Sequence, residues 1–266
     1  MSARLYRDCR PTCLETARLQ KGLVLLLDGK ELIEEGVGFG APVVKYKDKT
    51  YFSGSAKCCI RTDENRCTLT KSFVLDTISR KRLGTSSYIN DKLYHFLHRA
   101  FEIVYLNYQG LAQASNRIMA LQKSLGIQTE FIKVKPRGTV TFKYSFSPNE
   151  IQVIADMKLL NLDRCKNILI HNEQGASFFN RYSDSTGLAL SDHKIGAWTK
   201  ITSEEASFSN TKQTLTFALK NNAHVALLRG WEKTLDRFSW AGFAYSLPPI
   251  NSAFHYAIEL GVEEKT

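Results

Sequence analysis

The chain has 266 residues, a formal net charge of +10, and hydrophobic and charged fractions of 43% and 23%. Those fractions exclude an intrinsically disordered polymer, and the length suffices for one large β domain or two smaller ones. No apolar run approaches the roughly 18 to 20 residues of a membrane-spanning helix, and the basic excess favours anionic partners without bearing on the fold.

Residues 1–20 are polar and read as a loop or short helix leading into a sheet. The opening Met-Ser-Ala-Arg-Leu-Tyr-Arg-Asp lacks the apolar centre of a signal peptide, so a cytoplasmic location is expected. Leu23 to Leu27 form a strand that runs into Asp28-Gly29, a pair suited to the positive φ angles of a two-residue hairpin. Gly36-Val37-Gly38-Phe39-Gly40 has the glycine content of a phosphate loop, but Ala41-Pro42 and a strand follow it instead of a helix. Without a helix N-terminus the anion-binding mechanism is missing, and a glycine-rich bend is expected. Strands at Val43 to Tyr46 and Tyr51 to Ser55 flank the polar turn Lys47-Asp48-Lys49-Thr50, and another strand runs from Cys67 to Asp76. Hairpins in succession need no crossover helices, which argues against a Rossmann-type enzyme. The cluster Arg80-Lys81-Arg82 falls where a strand ends and reads as a solvated turn.

The six cysteines are expected to be reduced thiols. Cys9 and Cys13, with Cys67 or a histidine, have loose zinc-ligand spacing, but no second Cys-x2-Cys or His-x3-His pair follows. Cys58 and Cys59 are strand neighbours and point to opposite faces. No metal and no cofactor is expected.

From Asn90 to Gly126 the period changes. Leu97, Phe101, Val104, Tyr108, Leu111, Ile118 and Leu125 recur at helical spacing, so one long helix or two broken near Gly110 is expected. His95, His98 and Glu102 share a face of that helix, but they share it with Arg99, Gln109, Gln113 and Asn116, as a solvated face does. The period of two then returns. Val140, Phe142, Tyr144 and Phe146 alternate with Thr139, Thr141, Lys143 and Ser145. Further strands are expected at Ile151 to Ile154, Ile168 to His171, Ser177 to Tyr182, Leu215 to Leu219, Val225 to Leu228, Trp240 to Ser246 and Ala253 to Leu260. His171 reads as the cap of its strand. His255 and Glu259 share a strand face but stand roughly 13 Å apart.

The fold expected is mainly β: a large antiparallel sandwich or barrel with one helical segment at about 90–126. It reads as a single β-rich domain over residues 1–266, with two domains divided near residue 126 as the alternative. The chain lacks Gly-x-Ser-x-Gly, Walker, His-Glu-x2-His, EF-hand and RNP-type signatures. The densest mixture of aromatic and ionisable groups comprises Arg181, Tyr182, Asp184, Arg229, Trp231, Glu232, Arg237 and Trp240. Flat rings beside charged hydrogen-bonding groups suit stacking on sugars or bases.

The expected function is therefore carbohydrate binding or sugar modification, with metal-independent acid/base chemistry if the protein is catalytic. Glu35 and His193 are the nominal base and acid, Arg61, Arg181 and Arg229 the anchors, and Trp231 and Trp240 the stacking rings. A basic nucleic-acid-binding module is one alternative, motivated by the charge and by Lys45-Tyr46-Lys47 and Lys143-Tyr144. The other is a structural or assembly role, in which strand edges or the helical stripe meet a partner.

Overall fold

Along Gly138–Ser147 every second side chain is buried: Val140, Phe142 and Tyr144 have no accessible surface, whereas Thr139, Thr141 and Lys143 face outward. This period of two marks a sheet with one face in a core, and it recurs along the chain. The computed structural model describes residues 2–5, 19–27, 29–33, 37–47, 49–63, 66–83, 87–88, 124, 126–196, 198–212, 215–222, 225–233 and 239–262.

Within them the strands are β1 (Ser2–Leu5), β2 (Leu23–Leu27), β3 (Lys30–Glu31), β4 (Phe39–Tyr46) and β5 (Thr50–Phe52). There follow β6 (Ser55–Asp63), β7 (Arg66–Val74), β8 (Thr77–Leu83), β9 (Ser87–Tyr88) and β10 (Ile127–Lys133). The next group is β11 (Gly138–Ser147), β12 (Glu150–Leu159), β13 (Cys165–Gln174), β14 (Arg181–Asp184), β15 (Ala189–Ser191) and β16 (Thr199–Lys200). Last come β17 (Glu205–Ser209), β18 (Leu215–Lys220), β19 (Ala226–Lys233), β20 (Ser239–Leu247) and β21 (Ala253–Val262).

Every pairing among these strands is antiparallel. They form a twelve-stranded sheet with the path β10-β8-β5-β4-β13-β20-β19-β16, and a nine-stranded sheet ordered β15-β14-β17-β18-β21-β12-β11-β7-β6. The two sheets pack face to face and no closed barrel forms, so of the two expected architectures the sandwich is observed. Strands from both sides of residue 126 share each sheet, since β4 pairs with β13 and β7 with β11. The described residues contain no helix of seven or more residues, and none long and apolar enough to cross a membrane. Of the expected helix over 90–126 only Ser124 and Gly126 are described; His95, His98 and Glu102 lie outside the described residues.

The core between the sheets is aromatic. Phe39 and Phe243 of the larger sheet meet Phe217 and Phe208 of the smaller at centroid distances of 5.2 and 4.9 Å, offset geometries that add to the area they bury. A polar tie crosses the same interface. Asn172 Oδ1 accepts from the Gly40 N–H at 3.1 Å and from the Tyr256 hydroxyl at 3.0 Å. The glycine-rich segment before β4 is explained by this crowding. Gly40 has φ +76°, and a Cβ there would lie 2.3 Å from the Tyr144 hydroxyl oxygen. That hydroxyl donates to Phe39 O at 3.0 Å. The expected bend is thus a close approach between the two sheets.

Candidate functional site

In β13 the residues Ile168, Ile170, Asn172 and Gln174 point into the core, so His171 and Glu173 share the opposite, outward face of the larger sheet. Outward residues of a sandwich are ordinarily solvated, yet the side chains of His171 and Glu173 are only 13% and 8% exposed. His171 Nδ1 donates to Glu173 Oε1 at 2.7 Å. The second carboxylate oxygen, Oε2, accepts from the Val37 N–H at 3.3 Å. With Nδ1 committed to Glu173, the imidazole presents Nε2 as its remaining functional atom. This nitrogen is buried and has no hydrogen-bond partner among the described residues.

On the next two strands the same face carries glycine. Gly242 of β20 lies opposite Glu173 on one side and opposite Gly230 of β19 on the other. The floor there is bare because an indole occupies the space: a Cβ on Gly230 would come within 2.6 Å of Trp240 Cη2 and 2.7 Å of Cζ3. The segment leading into β16 lays a second indole over the first. Trp198 stacks on Trp240 at 4.7 Å with an interplanar angle of 16°, and it meets His171 edge-on at 4.9 Å and 85°. Trp198 holds φ at +30°, a conformation costing an L-residue on the order of 1–3 kcal/mol that its surroundings must offset. Trp240 Nε1 donates to Glu232 Oε2 at 3.1 Å. Burial pushes the Glu232 carboxyl above its ordinary value, the Trp240 hydrogen bond opposes this, and the charge of Glu173 adds to the rise.

The result is one cluster from three strands and a connecting segment: His171 oriented by Glu173, a second carboxyl with raised proton affinity at Glu232, and two stacked indoles. It sets two groups able to exchange protons, the His171 imidazole and the Glu232 carboxyl, beside a flat apolar surface. Among the described residues no group of three or more His, Cys, Asp or Glu side chains is arranged to hold a metal.

Of the residues singled out in the sequence, His193, Arg181 and Arg61 lie elsewhere. Glu35 and Arg237 are outside the described residues. His193 is exposed in a 3-10 turn, Asp192–Lys194. Arg181 is exposed on β14 and Arg61 on β6; the seven strand spacings between them in the smaller sheet amount to about 34 Å. The mixture around Arg229 does not form one surface, because alternation along β19 divides it. Arg229 and Trp231 point into the sandwich, while Gly230 and Glu232 point out. The Arg229 guanidinium lies 4.7 Å above the Tyr182 ring, and Tyr182 donates to Asp184 Oδ2 at 2.9 Å. Burial, reinforced by Asp184, pushes the Tyr182 hydroxyl up to about 12. These groups bridge the two sheets. Trp240 alone of the sequence-selected ligand residues belongs to the outward cluster. His171, expected to cap its strand, lies within β13, and Glu173 and Trp198 carry no sequence motif.

A separate cavity of about 740 Å³ opens where the chain crosses between sheets, with Lys200, Glu204, Glu205 and Lys220 in its walls. Among the described residues its lining includes no histidine and no aromatic ring.

No protein-family model matches the chain, and no curated protein matches it in sequence. Among solved structures it is similar to the Slr1438 protein from Synechocystis sp. PCC 6803, with 9% identity, a TM-score of 0.34, and coverage of 87% of this chain and 77% of that one.

Proposed function

We propose that the outward face of the twelve-stranded sheet is a saccharide site, where the protein binds or modifies a sugar by metal-independent acid/base chemistry. The observation that carries this reading is the buried His171. Glu173 holds one ring nitrogen, the other has no partner, and an indole pair tied to a second carboxyl lies against it. An indole face stacks on the apolar face of a pyranose, and carboxylates and imidazole accept hydrogen bonds from its hydroxyls. In this reading His171 and Glu232 are the acid/base pair of that face. The described cysteines Cys58, Cys59, Cys67 and Cys165 form no disulfide, which supports the cytoplasmic location that belongs to this proposal.

The test is a panel of mono- and oligosaccharides titrated against intrinsic tryptophan fluorescence and by calorimetry, using wild type, Trp198→Ala and His171→Ala. Saturable quenching by a sugar that tolerates salt and disappears in Trp198→Ala is the expected result. A panel without any binder, or a sugar response unchanged by Trp198→Ala, would overturn the proposal. A response to short RNA or DNA that falls steeply with salt would assign the protein to charge-driven nucleic-acid binding instead.

A further inference from the structure

Lys and Arg outnumber Asp and Glu by 36 to 26 in this chain, yet the outward cluster is acidic. Neither Glu173 nor Glu232 forms an ion pair with a lysine or arginine among the described residues. Glu173 is held by the His171 ring at 2.7 Å and the Val37 N–H at 3.3 Å, and Glu232 by the Trp240 N–H at 3.1 Å. The charge acting on Glu232 is that of Glu173, of like sign. The described lysines of this face stand apart. Lys45 is four residues along β4 from Ala41, the partner of His171, and Lys200 lies opposite Leu228, four residues along β19 from Glu232. Four strand residues span about 13 Å. Lys233 follows Glu232 and alternation turns it to the other face, and Lys194 is exposed in the 3-10 turn Asp192–Lys194.

Between the two carboxylates the sheet carries Gly242 and Gly230, and the Trp240 indole, stacked on Trp198, stands over Gly230. An indole face attracts a cation as well as a C–H surface, and tryptophan does so best among the aromatic side chains. A neutral pyranose covers the ring and leaves both carboxylates without a counter-charge. An acidic sugar adds a third like charge. A pyranose bearing an ammonium group covers the ring and supplies the counter-charge. We propose that the ligand of this face is an amino sugar held through its ammonium group by Glu173 and Glu232, an assignment that rests on the saccharide reading of the face. An ionised carboxylate offers about four lone-pair sites. The described hydrogen bonds use two on Glu173 and one on Glu232, so both retain acceptors for the ammonium N–H groups. The sugar ring rests on the indoles, and a hydroxyl donates to His171 Nε2.

The experiment titrates glucosamine, galactosamine and mannosamine into the full chain by calorimetry, each beside its N-acetylated and C2-hydroxyl counterparts, at a pH where the amine is protonated. At least one amino sugar is expected to bind about tenfold more tightly than its two neutral counterparts, the ratio that one charge-assisted hydrogen bond supports. Glu232→Gln keeps an acceptor for the Trp240 N–H and removes the charge, and it is expected to bring the three forms close to parity without weakening the neutral sugars. Glu173→Gln, which keeps an acceptor for the His171 ring, takes its place if that variant does not fold. A neutral sugar that binds as tightly as its amino form, and needs Trp198 to do so, overturns the amino-sugar assignment and leaves the saccharide reading standing. No binding by any of the sugars overturns both. An amine preference unchanged in Glu232→Gln overturns the assignment by removing the carboxylate from it. Ethylammonium binding as tightly as the amino sugar overturns it by removing the sugar.

Discussion

Gly230→Ala tests the geometry of the indole pair most directly. At a glycine with ordinary φ and open space, the substitution stabilises by about 0.4–1 kcal/mol through the unfolded chain. Gly230 has no positive φ, so the backbone would accept alanine, but the space is taken. The new methyl would sit 2.6 and 2.7 Å from two ring carbons of Trp240 and 3.1 Å from the Trp198 backbone nitrogen. Contact between carbons is comfortable at about 3.5 Å, so the ring must move by nearly an ångström. It has little freedom to do so: Trp198 covers its far face at 4.7 Å and Glu232 holds its Nε1 at 3.1 Å. Overpacking of this kind costs about 1–3 kcal/mol, and loss of the aromatic stack roughly 0.5–1.5 kcal/mol more. The expected loss is about 2–4 kcal/mol, or a fall in Tm of roughly 5–15 °C for a chain of this size. Urea denaturation measures the loss, and circular dichroism follows the coupled-indole band, which should weaken. The sign alone discriminates. A variant as stable as wild type or more so, with the band intact, would show that the Trp240 ring does not lie over Gly230.

Asn172→Ala should strand the Gly40 N–H and the Tyr256 hydroxyl between the sheets; at about 1–3 kcal/mol for each unsatisfied group, urea unfolding should show a loss of roughly 2–5 kcal/mol. Glu232→Gln preserves an acceptor for the Trp240 N–H and removes the titration. Because burial raises the Glu232 carboxyl above its ordinary 4.5, its favourable contribution is complete below that value and is lost as pH rises through the folded-state value. Thermal melts should therefore show the variant gaining on wild type from acid to neutral pH, and parallel curves would refute the assignment. Lys71 is 3% exposed, and burial holds its ammonium group below the usual 10.5, so the charged form becomes a growing penalty as pH falls from that value. Lys71→Met, which loses one hydrogen bond to Lys21 O, is expected at neutral pH to be within about 1 kcal/mol of wild type or more stable, as for other buried charges replaced by apolar groups of similar size.

How much of this was legible in the sequence follows from what each feature requires. The strand Gly138–Ser147 was readable because its period of two needs only its own residues, and the buried set Val140, Phe142 and Tyr144 agrees with the alternation. The same rule separates Arg229 and Trp231 from Gly230 and Glu232, so grouping them as one surface neglected a signal that was present. His171 and Glu173, two apart on a strand, were also recoverable as a same-face pair. The link between Glu232 and Trp240 was not, because it depends on the register of β19 against β20. Trp198 was beyond reach as well: it lies in an irregular segment with φ +30°, and no periodicity places such a residue over a sheet.

The outward cluster combines features that a purely structural surface has no reason to keep together. A sandwich needs its outward face only to be wetted, and β11 meets that need with Thr139, Thr141 and Lys143. On β13 the corresponding face is instead enclosed. The backbone before β4 runs beside it, with Val37 donating to the Glu173 carboxylate and Gly38 accepting from the Glu173 N–H at 3.1 Å. Across the sheet, the segment before β16 brings Trp198 onto Trp240. The enclosure buries an imidazole nitrogen without a partner, raises the proton affinity of one carboxyl beside another, and holds a tryptophan in a left-handed conformation. Each of these is unfavourable for folding alone. Local rules broken together at one place are what a functional site leaves in a fold. These costs converge at Trp198, His171 Nε2 and Glu232, the place to which the saccharide proposal assigns its ligand.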